Sequence, residues 1–77
     1  MNYTQEEQLV VDYAKLCGFE WLCKDADGDI WAYKEKPVKN DYINAWLMAP
    51  TGTSSIEINY PLSFLSWKDE EPYYIGD

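Results

Sequence analysis

Three aspartates in one short segment are the first residues whose type and spacing could support chemistry. Residues 23–34 read CKDADGDIWAYK, so Asp25, Asp27 and Asp29 stand at alternate positions and Gly28 lies between the last two. Carboxylates at alternate positions beside a glycine are typical of the calcium loop of an EF-hand. The same letters are also typical of the tip of a β-hairpin.

The calcium interpretation fails at both ends of the loop. If Gly28 takes the sixth position, Cys23 stands at the first ligand position and Lys34 at the twelfth. The twelfth position of an EF-hand requires a bidentate glutamate, and a lysine ammonium there would repel the ion. The residues that enter the loop are also typical of a strand and not of a helix. We therefore predict neither a bound metal nor a cofactor.

The hairpin interpretation fits the flanking residues. With a three-residue loop at 26–28 and a left-handed Gly28, Asp25 faces Asp29 and the strands join large apolar residues to each other and acid to base. The resulting pairs are Trp21–Tyr33, Cys23–Trp31 and Glu20–Lys34. A two-residue Asp27-Gly28 loop would shift every pair, and the sequence leaves this alternative open. We expect the tip to present its three carboxylates to solvent.

The remaining residue types argue against an enzyme. The chain contains no histidine and no arginine, so the usual general base and the usual phosphate clamp are missing. No serine lies in a nucleophile-elbow context, and no glycine-rich phosphate loop is present. Cys17 and Cys23 are not spaced as CxxC, and we interpret both as reduced, small buried hydrophobic residues.

The charge balance excludes several partners. Fourteen carboxylates against six lysines give a net charge of −8, which argues against direct binding of nucleic acid or of an anionic membrane and favours a basic protein partner. The aromatic set Trp31, Tyr33, Tyr42 and Trp46 could stack bases only inside a positive groove, so we assign it to the core or to protein contacts. The sequence shows no apolar run of membrane-spanning length and no leader-like start, and we expect a cytoplasmic location.

The helix that precedes this segment carries clear end signals. Residues 4–17 begin with Thr4, have Glu7 three positions later as in a capping box, and stop at Gly18. Leu9, Tyr13 and Leu16 recur at helical spacing and predict the apolar face, with Val10, Ala14 and Cys17 beside them. The polar residues expected on the solvent side are Gln5, Gln8, Asp12 and Lys15.

After Gly18 the apolar pattern alternates, and we predict strands near 19–24, 29–35, 42–49 and 55–60, arranged as two hairpins. Residues 36–41 are interpreted as a polar link. In the tail, 61–77, residues 62–67 should pack back on the sheet and residues 68–72 form an exposed acidic turn. Residues 1–77 thus form a single α+β domain with one N-terminal helix packed on a mainly antiparallel sheet of about four strands. Since one helix cannot cover both faces, some sheet aromatics should remain accessible.

Three segments carry a resemblance to a known group of proteins. FEWLCKDADGDIWAY at 19–33, Lys36-Pro37, and FLSWKDEEP at 64–72 resemble small acidic proteins encoded by phages and prophages of Gram-positive bacteria. Those proteins typically combine an aromatic hairpin with a D-x-D-G turn, a following K-P, and a C-terminal F-x-x-W-x-D-E-E-P. One departure is Leu65, which stands where the group tends to have proline.

The resemblance implies a phage-borne accessory protein in the cytoplasm of a Gram-positive host that binds and inhibits a host nucleic-acid-handling protein. The sharpest version is an anti-CRISPR inhibitor of a type II Cas9 or its guide complex, acting as an acidic DNA mimic on basic surfaces. The residues expected at the contact are Asp25, Asp27, Asp29, Trp31, Trp67, Asp69, Glu70 and Glu71. The alternative is a non-enzymatic accessory module, self-associating as a homodimer or replication-related, that uses exposed sheet aromatics.

Overall fold

A computed structural model describes residues 3–50, 52 and 54–76, and over these ranges the chain forms one helix and six short strands. The elements in chain order are α1 (Gln5–Leu16), β1 (Trp21–Lys24), β2 (Ile30–Tyr33), β3 (Val38–Asn40), β4 (Ala45–Leu47), β5 (Ser55–Ile58) and β6 (Tyr73–Tyr74). The sheet pairings are antiparallel. The predicted α+β class with an N-terminal helix is therefore confirmed.

The ends of α1 are set by local chemistry, as predicted. The Thr4 hydroxyl accepts a hydrogen bond from the Glu7 N–H at 3.1 Å, and the Glu7 carboxylate accepts one from the Thr4 N–H at 3.0 Å. This capping box satisfies two N–H groups that the first turn of a helix leaves without partners. At the other end Gly18 has φ of +91°, a conformation that glycine adopts without strain.

The apolar face predicted for α1 is wrong for its three largest residues. Leu9, Tyr13 and Leu16 are exposed by 64%, 60% and 86%. Ala14, predicted beside them, is buried, and so is Val11, which the prediction did not include. The reason lies outside the helix: Glu7, one turn before Val11, accepts hydrogen bonds from the N–H and the hydroxyl of Ser63. These contacts hold the Glu7 side of α1 against the tail, so the stripe of larger apolar residues faces solvent.

The hairpin of β1 and β2 has the three-residue loop. The observed pairs include Trp21–Tyr33 and Cys23–Trp31, as expected for that register. The Asp25 N–H donates to the Asp29 carbonyl at 2.8 Å, and the Gly28 N–H donates to the Asp25 carbonyl at 3.0 Å. Gly28 has φ of +95°, which explains why glycine stands at this position of the turn.

The second predicted hairpin is wrong. The four-stranded sheet has the order β5-β2-β1-β6, so β5 pairs with β2 and not with the 42–49 segment. Only Ala45–Leu47 of that segment is a strand, and it pairs with β3 in a separate two-stranded ribbon. Val38–Asn40, the strand β3, lies in the segment interpreted as a polar link. The tail adds β6, which pairs with β1.

The two faces of the sheet carry different cores. The face against α1, here called the helix face, is mostly aliphatic; its buried residues are Val11, Ala14, Phe19, Leu22, Ile30, Ala32, Leu62, Leu65 and Ile75. The opposite face, here called the ribbon face, buries Cys23, Tyr33 and Trp46, with Trp21, Trp31 and Trp67 packed around them. The β3–β4 ribbon therefore covers much of the face that the sequence left uncovered.

The cysteines differ from each other. Cys23 is buried in the aromatic cluster, as predicted, whereas Cys17 is exposed at the end of α1, against the prediction. Both are free thiols. Within the described ranges of the chain, no helix has the length and apolar character needed to cross a membrane.

Candidate functional site

The hairpin tip and the ribbon are joined through the backbone of Trp46. The Trp46 N–H donates to the Asp25 carboxylate at 2.8 Å, and its carbonyl accepts from the Tyr33 hydroxyl at 3.2 Å. The indole N–H of Trp46 donates to the Lys24 carbonyl at 3.1 Å. The first two bonds use the edge of β4 that β3 leaves free, so the Asp25 and Tyr33 side chains satisfy backbone groups of the ribbon.

The prediction that Asp25 presents its carboxylate to solvent is wrong. The residue is 8% exposed and acts as a hydrogen-bond acceptor beneath the ribbon. Burial raises the pKa of its carboxyl group, the Trp46 N–H opposes that shift, and the neighbouring Asp27 and Asp29 carboxylates add to it. The physical reason for the misprediction is the ribbon, which folds over one side of the hairpin tip.

Asp27 and Asp29 remain exposed at the tip, as predicted. One oxygen of Asp27 accepts the Asp29 N–H at 2.9 Å, which stabilises the turn. Ala26 donates its N–H to the Asn44 carbonyl at 3.1 Å, which places the tip beside the turn that joins β3 to β4. Two carboxylates thus lie at one end of the ribbon.

The second acidic turn lies at the other end. Lys36, just before β3, forms an ion pair with Glu71 at 2.9 Å, and Lys39 of β3 donates to the carbonyls of Trp67 and Asp69 at 2.6 and 2.9 Å. Asp69 also accepts the Ser66 N–H through its side chain, which shapes the turn. Asp69, Glu70 and Glu71 are exposed, as predicted.

The ribbon therefore separates the two acidic turns and does not bring them into one cluster. Its strand β3 runs from the Lys36–Glu71 pair toward the hairpin tip, and at about 3.3 Å per residue the four steps from Lys36 to Asn40 span about 13 Å. A partner that contacts both turns would also contact the outer surface of the ribbon.

That outer surface is apolar and was not identified from the sequence. Val38 and Leu47 form a cross-strand pair that points away from the sheet, since their neighbours Lys39 and Trp46 point inward. Val38, Leu47, Met48, Tyr42 and Ile43 are exposed by 39% to 99%. These five residues are called the ribbon patch below. The only sequence signal for this patch was the position of Tyr42 and Ile43 beside a polar turn, where side chains are usually exposed. The pairing of β3 with β4 had no local marker in the sequence.

The two predicted contact tryptophans lie on the ribbon face in different surroundings. Trp67 packs edge-on against Trp46 with 6.4 Å between ring centroids, and the Lys39 ammonium lies 4.2 Å from the centre of the Trp67 ring. Its ring is thus engaged within the protein. Trp31 is partly exposed and borders a cavity of about 240 Å³ beside β4.

The chemistry of the site is that of apolar side chains, carboxylates and two groups with raised pKa values. Among the described residues, no three His, Cys, Asp or Glu side chains gather closely enough to hold a metal ion. Burial raises the pKa of Tyr33 to about 12 and also raises the pKa of the Cys23 thiol, so both groups are neutral near pH 7. What the arrangement offers is an apolar surface with carboxylates at both ends.

The chain was compared with protein-family models, with curated proteins and with solved structures, and none of the three comparisons found a match.

Proposed function

We propose that this chain is a non-enzymatic binding protein that inhibits a basic, nucleic-acid-handling host protein. The observation that carries the proposal is the ribbon patch with an acidic turn at each end. Exposed apolar patches rimmed by charge are typical of protein-interaction sites, and the net charge of −8 favours a basic partner. The resemblance to phage-encoded acidic proteins supports the same class.

The most specific form of the proposal is inhibition of a type II Cas9. Such proteins hold the guide heteroduplex and read the PAM through surfaces rich in arginine and lysine. In this form, the two acidic turns occupy positions that DNA phosphates would take, and the ribbon patch contributes apolar contact between them. Inhibition would then follow from competition with target DNA.

A charge-matched pair of variants tests the role of the turns. The first changes Asp27→Asn, Asp29→Asn and Glu70→Gln, which leaves in place Asp25, Asp69 and Glu71 with their internal contacts. The second changes three exposed carboxylates away from the ribbon: Glu6→Gln, Asp12→Asn and Glu20→Gln. Each removes three negative charges from the same total, so only their position differs.

Binding of target DNA by guide-loaded Cas9 is then measured with each variant added. We expect the turn variant to lose inhibition by roughly tenfold or more and the control variant to keep it. Wild-type affinity should also fall steeply as NaCl rises from about 50 to 200 mM, because exposed charges are screened over that range. Equal inhibition by both variants, or an affinity insensitive to salt, would exclude the acidic mimic.

A second candidate function is self-association through α1, and a separate observation favours it. Leu9, Tyr13 and Leu16 form an exposed apolar stripe along one side of α1. Such stripes on exposed helices commonly pack against a second helix. Sedimentation of the wild type and of Leu16→Lys separates the two candidates: a dimer that becomes a monomer on this change supports self-association, whereas a wild-type monomer excludes it.

A further inference from the structure

The cavity beside Trp31 is formed where three strands meet. Trp31 and Tyr33 of β2 line one side and Ser55 of β5 another. Trp46 and Leu47 of β4, with Met48 directly after the strand, line a third, and Asp25 also lines the cavity. Its volume is about 240 Å³. Pockets for small-molecule ligands usually occupy about 300–1,000 Å³, so this cavity has a size suited to a single side chain.

The lining combines aromatic rings with a carboxylate. Trp31, Tyr33 and Trp46 supply the aromatic content, and Asp25 supplies the charge. Aromatic faces attract ammonium and guanidinium groups, and the attraction strengthens where water is excluded. In the described part of the chain, no lysine lines the cavity, so the carboxylate has no ammonium group of its own there.

The chain already uses this chemistry on the neighbouring side of Trp46. The Lys39 ammonium lies 5.7 Å from the centre of the Trp46 ring and 4.2 Å from that of Trp67. There the cation also donates hydrogen bonds to two carbonyl groups, those of Trp67 and Asp69. The aromatic cluster of the ribbon face thus holds cations from within the protein, since the Lys36 ammonium also lies 5.8 Å from the centre of the Trp21 ring.

We propose that the cavity receives one lysine or arginine side chain of a basic partner, with its charged group between Trp31 and the Asp25 carboxylate. This inference rests on the proposed function, because it assumes a basic protein partner, and it names the contact that such a partner makes. Leu47 and Met48 line the cavity and belong to the ribbon patch, so the cavity adjoins the proposed interface.

A neutral side chain would gain less in this position. Asp25 is 8% exposed, and its carboxylate accepts a hydrogen bond from the Trp46 N–H. Its raised pKa reflects burial that no nearby cation offsets. A guanidinium or ammonium group would offset that burial, whereas a urea or amide group of the same shape would contribute hydrogen bonds only.

Small probes test the cavity in the isolated protein. The ¹⁵N-labelled chain is titrated with N-acetyl-arginine amide, N-acetyl-lysine amide and N-acetyl-citrulline amide at constant ionic strength, and backbone amide shifts are followed. We expect the two cationic probes to shift the amides of Leu47, Met48 and Ser55, and the neutral citrulline probe to bind at least tenfold more weakly. Equal binding of citrulline would overturn the proposal.

Two pairs of variants assign the binding to the named residues. Asp25→Asn keeps an acceptor for the Trp46 N–H but removes the charge, and its control Asp12→Asn removes one charge on the helix. Trp31→Leu removes the aromatic wall, and its control Trp21→Leu removes a ribbon-face indole that does not line the cavity. We expect Asp25→Asn and Trp31→Leu each to lose at least tenfold in affinity for the arginine amide, and each control to change by less than twofold. Equal losses within a pair would overturn the proposal.

The outcomes separate this proposal from the function on which it rests. Probe binding that depends on Asp25 and Trp31, together with no inhibition of Cas9, supports the cavity and excludes that inhibitor function. Salt-sensitive inhibition that persists in Trp31→Leu, together with no probe binding, supports the function and overturns the cavity as its contact.

Discussion

The two faces of the sheet each bury one carboxylate, and the two groups are held differently. On the helix face, Glu7 is 4% exposed and accepts hydrogen bonds from Ser63, 56 residues away. On the ribbon face, Asp25 is 8% exposed and accepts one from Trp46, 21 residues away. In each case a carboxylate from the N-terminal half of the chain joins a later segment to the domain.

The number of donors separates the two groups. Glu7 accepts the Thr4 N–H, the Ser63 hydroxyl and the Ser63 N–H, and these bonds lower the pKa of its carboxyl group although burial opposes them. For Asp25, burial dominates and the pKa is raised. The helix face is therefore electrostatically satisfied, whereas the ribbon face keeps a buried negative charge beside an open cavity. This contrast predicts that the Glu7 carboxylate contributes more to the stability of the domain than the Asp25 carboxylate does.

The largest effect on stability should come from the aliphatic core of the helix face. Leu22 is fully buried there, and Leu22→Ala should lower the free energy of unfolding by about 2–5 kcal/mol, because it removes buried methyl groups and leaves a cavity. Chemical denaturation measures the change. Cys23→Ala, at the next position but on the ribbon face, is the control and should cost clearly less; an equal or larger loss would contradict the contrast between the faces.

The next effect should come from Glu7→Gln, which weakens three hydrogen bonds to a charged acceptor. We expect a fall in melting temperature smaller than that of Leu22→Ala. The pKa of Glu7 is lowered on folding, so at acidic pH the unfolded state binds more protons. The stabilisation is present above the ordinary glutamate pKa and is lost as pH falls through the lowered value. Melting curves of both proteins across acidic pH should therefore converge; a constant difference would contradict this role.

A smaller effect should follow from removing the glycine at the hairpin tip. Gly28 has φ of +95°, and a Cβ at this position would meet no atom within 4 Å, so Gly28→Ala changes conformational strain alone. We expect a loss of about 1–2 kcal/mol from the left-handed backbone. Denaturation of Gly28→Ala and of Ala26→Gly, a control in the same loop, measures it. Loss of arginine-amide binding in Gly28→Ala would show in addition that the tip positions Asp25.

The smallest effect on stability should come from Asp25→Asn, which we expect not to lower stability as the three preceding variants do. The pKa of Asp25 is raised on folding by burial and by Asp27 and Asp29, so the folded state binds more protons above the ordinary aspartate pKa. The contribution of Asp25 to the free energy of unfolding is therefore most favourable below the ordinary aspartate pKa. It declines as the pH rises through the raised pKa of the folded state. Asp25→Asn should therefore be no less stable than wild type near pH 7. A marked loss of melting temperature at neutral pH would show that the charge serves stability, as in Glu7.

The sequence predicted the parts of the site that short-range chemistry controls. Asp27, Asp29 and Glu70 lie in exposed turns because glycine, proline and clustered charge mark turns locally. Asp25 has the same type and spacing as its neighbours, and nothing within the segment distinguishes a carboxylate that a distant strand will cover. The ribbon patch was missed for the same reason, because β3 and β4 are three residues each and have little periodicity to detect.

By itself, the sequence determined the capped helix, the hairpin turn around Gly28 and the α+β class, because caps and turns depend on residues within a few positions of each other. The structure decided between the two loop lengths that the sequence left open, in favour of the three-residue loop. Tertiary structure alone decided the rotation of α1, the pairing of β5 with β2, and the burial of Asp25. Each of these depends on contacts between distant segments, such as Glu7 with Ser63 and Asp25 with Trp46, whose free energies outweigh the local apolar pattern.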